Sequence, residues 1–173
     1  QFNPLENYKV FSNDASLLLP ANVIGNEYFV MSRQQNFNNL RGYLTVVAAS
    51  KGKTVVKILS SAKTLAGVGV VAMVKGKTYS FTLSQGEVLN VETNEIGADL
   101  TGSLVTADKP IAVFGGHEGG NVPDTNRCVK PKGQLKGACE FQGWPCENNS
   151  DCPVTCCADH LEEQLFPISA WGT

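Results

Sequence analysis

All six cysteines fall between Cys128 and Cys157, and the 127 residues before them contain none. The segment that carries them is rich in Pro, Gly, Asn and Asp and has little to bury. Such a stretch cannot hold a shape by apolar contact, so disulfide bridging is the economical reading. Zinc is the rival, and its signature would be paired C-x2-C units. Here the gaps are ten, six, five and three residues, after which Cys156 and Cys157 are adjacent. Disulfides predict an extracellular, periplasmic or lumenal site. The same loop holds Asn148-Asn149-Ser150, an N-glycosylation sequon that makes Asn148 a candidate acceptor if the source is eukaryotic.

The chain has 173 residues, one domain's worth on the usual scale of about 100–200. Fourteen Lys and Arg against 16 Asp and Glu give a net charge of −2, which argues against a nucleic-acid surface. Hydrophobic residues make up 42%, too many for a disordered chain. The longest mostly apolar run, Leu65 to Val74, is ten residues, about half of a membrane-spanning helix. Position 1 is Gln, with no initiator Met or signal-peptide pattern, so a processed or excerpted piece of something longer is expected.

The first 127 residues read as strands. Tyr28–Met31, Gly42–Ala49, Thr54–Leu59, Tyr79–Leu83 and Glu87–Glu92 are β-prone runs, with turns at Lys51-Gly52-Lys53, Gly76-Lys77 and Gln85-Gly86. Tyr79, Phe81 and Leu83 alternate with Ser80 and Thr82, the period of a half-buried strand. Ser103–Thr106 and Pro110–Phe114 follow, divided by a predicted turn at Asp108-Lys109-Pro110. This spacing predicts an all-β fold, an antiparallel sandwich or barrel, and of the two the antiparallel β-sandwich is the expected one. One short helical turn is expected near Ala158–Leu165, with Asp159 as N-cap and Glu162 and Glu163 in its first turn.

There is an internal echo. Leu18 to Asn26 and Leu165 to Thr173 both read apolar, apolar, Pro, three residues, large apolar, Gly, small polar. Pro20 and Pro167 are 147 residues apart. A repeated unit in a series is the physical reading.

Three phrases, Gly76–Leu89, Asp99–Ser103 and Ala107–His117, together with Cys157–Thr173, resemble the N-terminal domain family of IgGFc-binding protein. The resemblance covers roughly residues 18–122 and 157–173. It implies an extracellular β-rich module, often in tandem, within large secreted or surface proteins, and no catalytic activity. It carries no residue motif for antibody binding. Members often have a Cys soon after the first Gly-His, where this chain has Gly119, and the stretch that follows is longer here. Cys128 and Cys157 are therefore expected to replace the family's pair. Cys146-x5-Cys152-x3-Cys156-Cys157 also resembles a shortened whey-acidic-protein core that lacks its last two cysteines. That partial likeness implies the bridges Cys128–Cys157, Cys139–Cys152 and Cys146–Cys156. The chain then divides into residues 1–17, a tail or edge strand, a β domain of 18–123 and 158–173, and a Cys-rich insert of 124–157.

Few residues suggest chemistry. If the strand ending at Phe114 lies beside 158–165, His117, Glu118, Asp159 and His160 could gather as metal ligands. His117-Glu118-Gly119-Gly120-Asn121 is not H-E-x-x-H, because position 121 is Asn. The plainer reading is that each His bonds a backbone carbonyl at a corner. Gly115-Gly116 and Gly119-Gly120 lack a following Lys-Ser/Thr, so they read as a turn with close backbone approach rather than a phosphate loop. The lysines at 51, 53, 57, 63, 75 and 77 read as a solvated rim. Trp144, in a polar loop, is either the plug of a mini-core or an exposed contact residue.

The expected function is a non-catalytic extracellular or cell-surface adhesion or structural module, without a cofactor, catalytic residue or membrane span. Its partner would be an extracellular protein or glycan. Tyr8–Phe11 could complete a neighbour's sheet and give head-to-tail self-association. The rivals are a protease inhibitor acting through the insert and a metal-dependent hydrolase built on His117, Glu118 and His160.

Overall fold

The computed structural model describes residues 15–36, 38–120, 127–140, 143–152 and 159–172. The candidate strand Tyr8–Phe11 lies outside the described residues, as do Cys156 and Cys157. The chain is all-β. Its strands are β1 (Gly25–Phe29), β2 (Gly42–Ala48), β3 (Lys53–Leu59), β4 (Thr78–Ser84), β5 (Val88–Glu92), β6 (Leu104–Gly120), β7 (Cys128–Val129), β8 (Gly137–Cys139), β9 (Pro145–Cys146) and β10 (Asp159–Gln164). β7, β8 and β9 form a small antiparallel sheet of their own, and the other seven form one large antiparallel sheet.

Alternation places the core. In β3, Thr54, Val56 and Ile58 are buried while Lys53, Lys57 and Leu59 face out. Gly52 and Gly86, with φ of 77° and 81°, supply the left-handed backbone that the β2–β3 and β4–β5 turns require.

β6 is the spine. Its first half pairs mainly with β1 and β3, and its second half pairs with β2 and β10. The large sheet is thus two four-stranded halves, β1-β6-β3-β4 and β10-β6-β2-β5, that share one strand. Both halves feed a common core through Val56 and Ile58, Leu44 and Val46, Leu89 and Val91, and Val105, Ile111 and Val113. Each such side chain contributes about 1.5–3 kcal/mol on burial.

Three local expectations are corrected. Asp108-Lys109-Pro110 is not a turn between two strands, because β6 runs through it. The β3 ladder ends at Ala107, the β2 ladder starts at Ile111, and β1 shifts register between Gly25 and Glu27. Pro110, which has no N–H, sits in that gap, where no ladder bond is lost. Side chains bridge the crossing. Val55 N–H donates to Asp108 Oδ1 at 2.8 Å. Tyr28, fully buried, donates to Ile111 O and accepts from Gly25 N–H, both at 2.7 Å. Second, Gly115 and Gly116 lie mid-strand in β6, although the expected close approach is real. Third, residues 159–164 are β10 and not a helix, because pairing along β6 from Gly120 to Phe114 overrides the local capping signal. The short helical turn lies just after it, a 3-10 turn at Ile168–Ala170.

Candidate functional site

β10 does lie beside the end of β6, so the two histidines approach from adjacent strands: Leu161 pairs with His117 and Glu162 with Gly116. They do not form one ligand set. His117 is fully buried, and its Nδ1 accepts the Gly119 N–H at 3.0 Å. The hydrogen of the neutral ring therefore sits on Nε2, which meets no hydrogen-bond partner among the described residues. Burial and the nearby Arg33 guanidinium push its pKa below the ordinary histidine range. The carbonyl bond expected of His117 is corrected: its ring takes a backbone N–H instead, closing the end of β6.

His160 turns to the other side. Its Nε2 lies 3.0 Å from Tyr43 Oη and 3.5 Å from Glu162 Oε2, and the two rings stack at 5.8 Å. Tyr43 Oη also lies 3.2 Å from Leu161 O and 3.3 Å from Glu162 Oε2. The phenol has one hydrogen to give. With that hydrogen on Leu161 O, a hydrogen on His160 Nε2 completes the set. Gly116 makes room for it, since a Cβ there would stand 2.5 Å from Tyr43 Oη and 2.1 Å from Leu161 O.

This cluster forms one wall of a cleft of about 420 Å³, lined also by Asn39, Leu40, Asn90, Glu92 and Glu118. Its carboxylates are already engaged. Glu92 accepts from Asn90 Nδ2 at 2.9 Å and faces Arg41 Nε at 3.9 Å. Glu118 is exposed and accepts the Arg41 N–H at 2.8 Å. Asp159 is exposed at the start of β10. Among the described residues, the only three His, Cys, Asp or Glu ligand atoms within 4.8 Å of one another belong to Cys128, Cys146 and Cys152. Those sulfurs are committed to disulfides, so they are not thiolate ligands. Tyr43 reads in the sequence only as part of a strand, and Glu162 only as a helix-start residue. The Gly115-Gly116 pair was the signal that could have found them, as a place where something bulky crosses the strand.

The insert is built on sulfur. Cys128 bridges Cys146 and Cys139 bridges Cys152. The Cys139–Cys152 bond is the one implied by the whey-acidic-protein likeness. The Cys128–Cys146 bond replaces both Cys128–Cys157 and Cys146–Cys156, because β7 and β9 flank β8 and bring Cys128 and Cys146 to a Cα separation of 5.8 Å. Together the four half-cystines make the insert's own core, a cluster that shares no residue with the main one. Trp144 is therefore not a plug. It is 55% exposed, as are Val129 and Leu135 at 54% and 87%. Asn148 is exposed beside a 3-10 turn at Asn149–Asp151 and donates its N–H to Asp151 Oδ2 at 2.8 Å.

The family model described as IgGFc binding protein matches residues 14–173. The chain belongs to the IgGFc-binding protein family. The IgGFc-binding protein of Homo sapiens is 29% identical over 168 residues, covering 96% of this chain and 2% of the relative. The chain thus spans about one fiftieth of that relative's length. No solved structure matches. In this IgGFc-binding family member, no helix among the described residues is long and apolar enough to cross a membrane.

Proposed function

We propose that this chain is a non-catalytic, extracellular binding module of a larger secreted or cell-surface protein, with the Cys-rich insert as its contact surface. The observation that carries this reading is the inversion of the insert. Its interior is disulfide sulfur, and its largest apolar side chain, Trp144, faces solvent. A rigid, stapled loop that presents an aromatic loses little entropy on binding, and Trp is a favoured anchor. The disulfides support a site outside the reducing cytosol. The polar cluster around Tyr43 and His160 supports the non-catalytic reading, since its groups satisfy one another and, among the described residues, no Ser, Thr or Cys lines its cleft.

The ligand class is an extracellular protein or a glycan. The printed name of the human relative makes antibody Fc the first probe. Immobilised chain is titrated with IgG Fc fragment and, in parallel, applied to a glycan array. Saturable binding to either, weakened about thirtyfold or more by Trp144→Ala, is the expected result. Binding that survives Trp144→Ala unchanged would move the contact surface elsewhere, and binding to neither probe would sink the reading.

A further inference from the structure

The two echo segments are alike in shape as well as in sequence. Val23 N–H donates to Pro20 O at 3.0 Å, and Ala170 N–H donates to Pro167 O at 2.9 Å, so each proline opens the same tight turn. Within the chain they lie side by side. Leu19 N–H donates to Gln164 Oε1 at 2.7 Å, Phe29 and Trp171 rings meet at 5.9 Å, and a Cβ on Gly25 would stand 2.7 Å from Pro167 Cβ.

Their roles are complementary. In the second segment the leading leucine, Leu165, is buried in the main core, whereas its counterpart Leu18 is 68% exposed. In the first segment the closing glycine, Gly25, is covered by Pro167, whereas a Cβ built on its counterpart Gly172 meets no atom of the described residues within 4 Å, its chain neighbours aside. Each segment thus performs the half of the task that the other leaves undone. Phe166 and Trp171, 55% and 52% exposed, flank the uncovered half.

We propose that this nine-residue segment is a joint shared by consecutive copies of the fold. Its Leu-x-Pro half closes the core of the copy before it, and its glycine opens the first strand of the copy after it. The occupant of the uncovered surface around Gly172, Phe166 and Trp171 is a second copy of this fold, and its closing proline covers Gly172 as Pro167 covers Gly25. Successive copies then repeat every 147 residues, the Pro20 to Pro167 distance, and meet without a linker. The inference goes beyond the binding role and rests on no ligand, so loss of Fc or glycan binding leaves it intact.

The test extends the full chain, residues 1–173, with residues 27–173, so that Thr173 takes the place of Asn26. Gly25→Val in the single chain clashes with Pro167 and lowers Tm, while Gly172→Val in the single chain leaves it unchanged. In the fusion, Gly172→Val lowers Tm by about as much as Gly25→Val lowers it in the single chain, an expected drop of about 4 °C or more. Small-angle scattering on the unsubstituted fusion shows one fixed spacing between the copies. A fusion indifferent to Gly172→Val, or a scattering profile of two freely jointed bodies, would overturn the shared joint.

Discussion

Tyr43 Oη and His160 Nε2 lie 3.0 Å apart, although 117 residues separate them and β6 runs between their strands. They meet because Gly116, the β6 residue paired with both Tyr43 and Glu162, has no side chain to keep them apart. Tyr43→Phe removes the hydroxyl and with it the contacts to His160 Nε2 and Leu161 O. A cost of about 1–3 kcal/mol in urea unfolding is expected. Gly116→Ala is expected to cost as much or more, since its Cβ meets the Leu161 carbonyl at 2.1 Å. A Tyr43→Phe variant as stable as the parent would show that the cluster contributes nothing.

His117 makes the fold sensitive to mild acid. Burial and Arg33 hold its folded pKa below the ordinary value, so the unfolded chain takes up the proton first as pH falls. Asp99 opposes this shift and His160 adds to it. Between the ordinary histidine pKa of about 6.5 and the lower folded value, the unfolded state binds more protons. Stability therefore falls as pH drops through that window. Urea midpoints at pH 7, 6 and 5 should decline for the parent and decline less for His117→Gln. Equal slopes in the two proteins would remove His117 as the source.

The legible part of the fold is the part set by neighbours in sequence. β2, β3, β4 and β5 follow from alternation and from glycines such as Gly52 and Gly86 at the turns. What misled was local signal that distant pairing overrode. Asp159 with Glu162 and Glu163 reads as a helix start, but the edge of β6 takes up the backbone bonds of that stretch. Asp108-Lys109-Pro110 reads as a turn, but Val55 and Tyr28, tens of residues away, hold it in a strand. The Tyr43–His160 cluster shows in the sequence only through Gly115-Gly116, because its geometry is a property of β6 and its two flanking strands. The bridge pairing of Cys128 depends likewise on which strands flank β8.

The crossing in β6 should be fragile at Asp108. Its carboxylate takes the Val55 N–H just beyond Ala107, where the β3 ladder along β6 stops. Asp108→Ala should cost about 1 kcal/mol, the ordinary price of such a bond. Asp108→Asn keeps an acceptor oxygen and should recover most of it. Amide exchange at Val55 reads the same event directly, with faster exchange in Asp108→Ala than in Asp108→Asn. Unchanged Val55 exchange in both would show that the bond does not hold the end of the β3 ladder.

The insert and the β body should be separable in stability, because the cystine cluster and the main core have no residue in common. Closing an 18-residue separation by Cys128–Cys146 stabilises the insert by about 3 kcal/mol in the chain-entropy account. The double variant Cys128→Ser/Cys146→Ser should therefore loosen the insert alone. Tryptic cleavage after Arg127, Lys132 and Lys136 should quicken about tenfold or more, while the urea midpoint of the β body shifts by less than the equivalent of about 0.5 kcal/mol. Peptide mapping of the unreduced parent should recover Cys128 joined to Cys146 and Cys139 joined to Cys152. A β body that unfolds together with the insert in the double variant would show that the two cores are coupled.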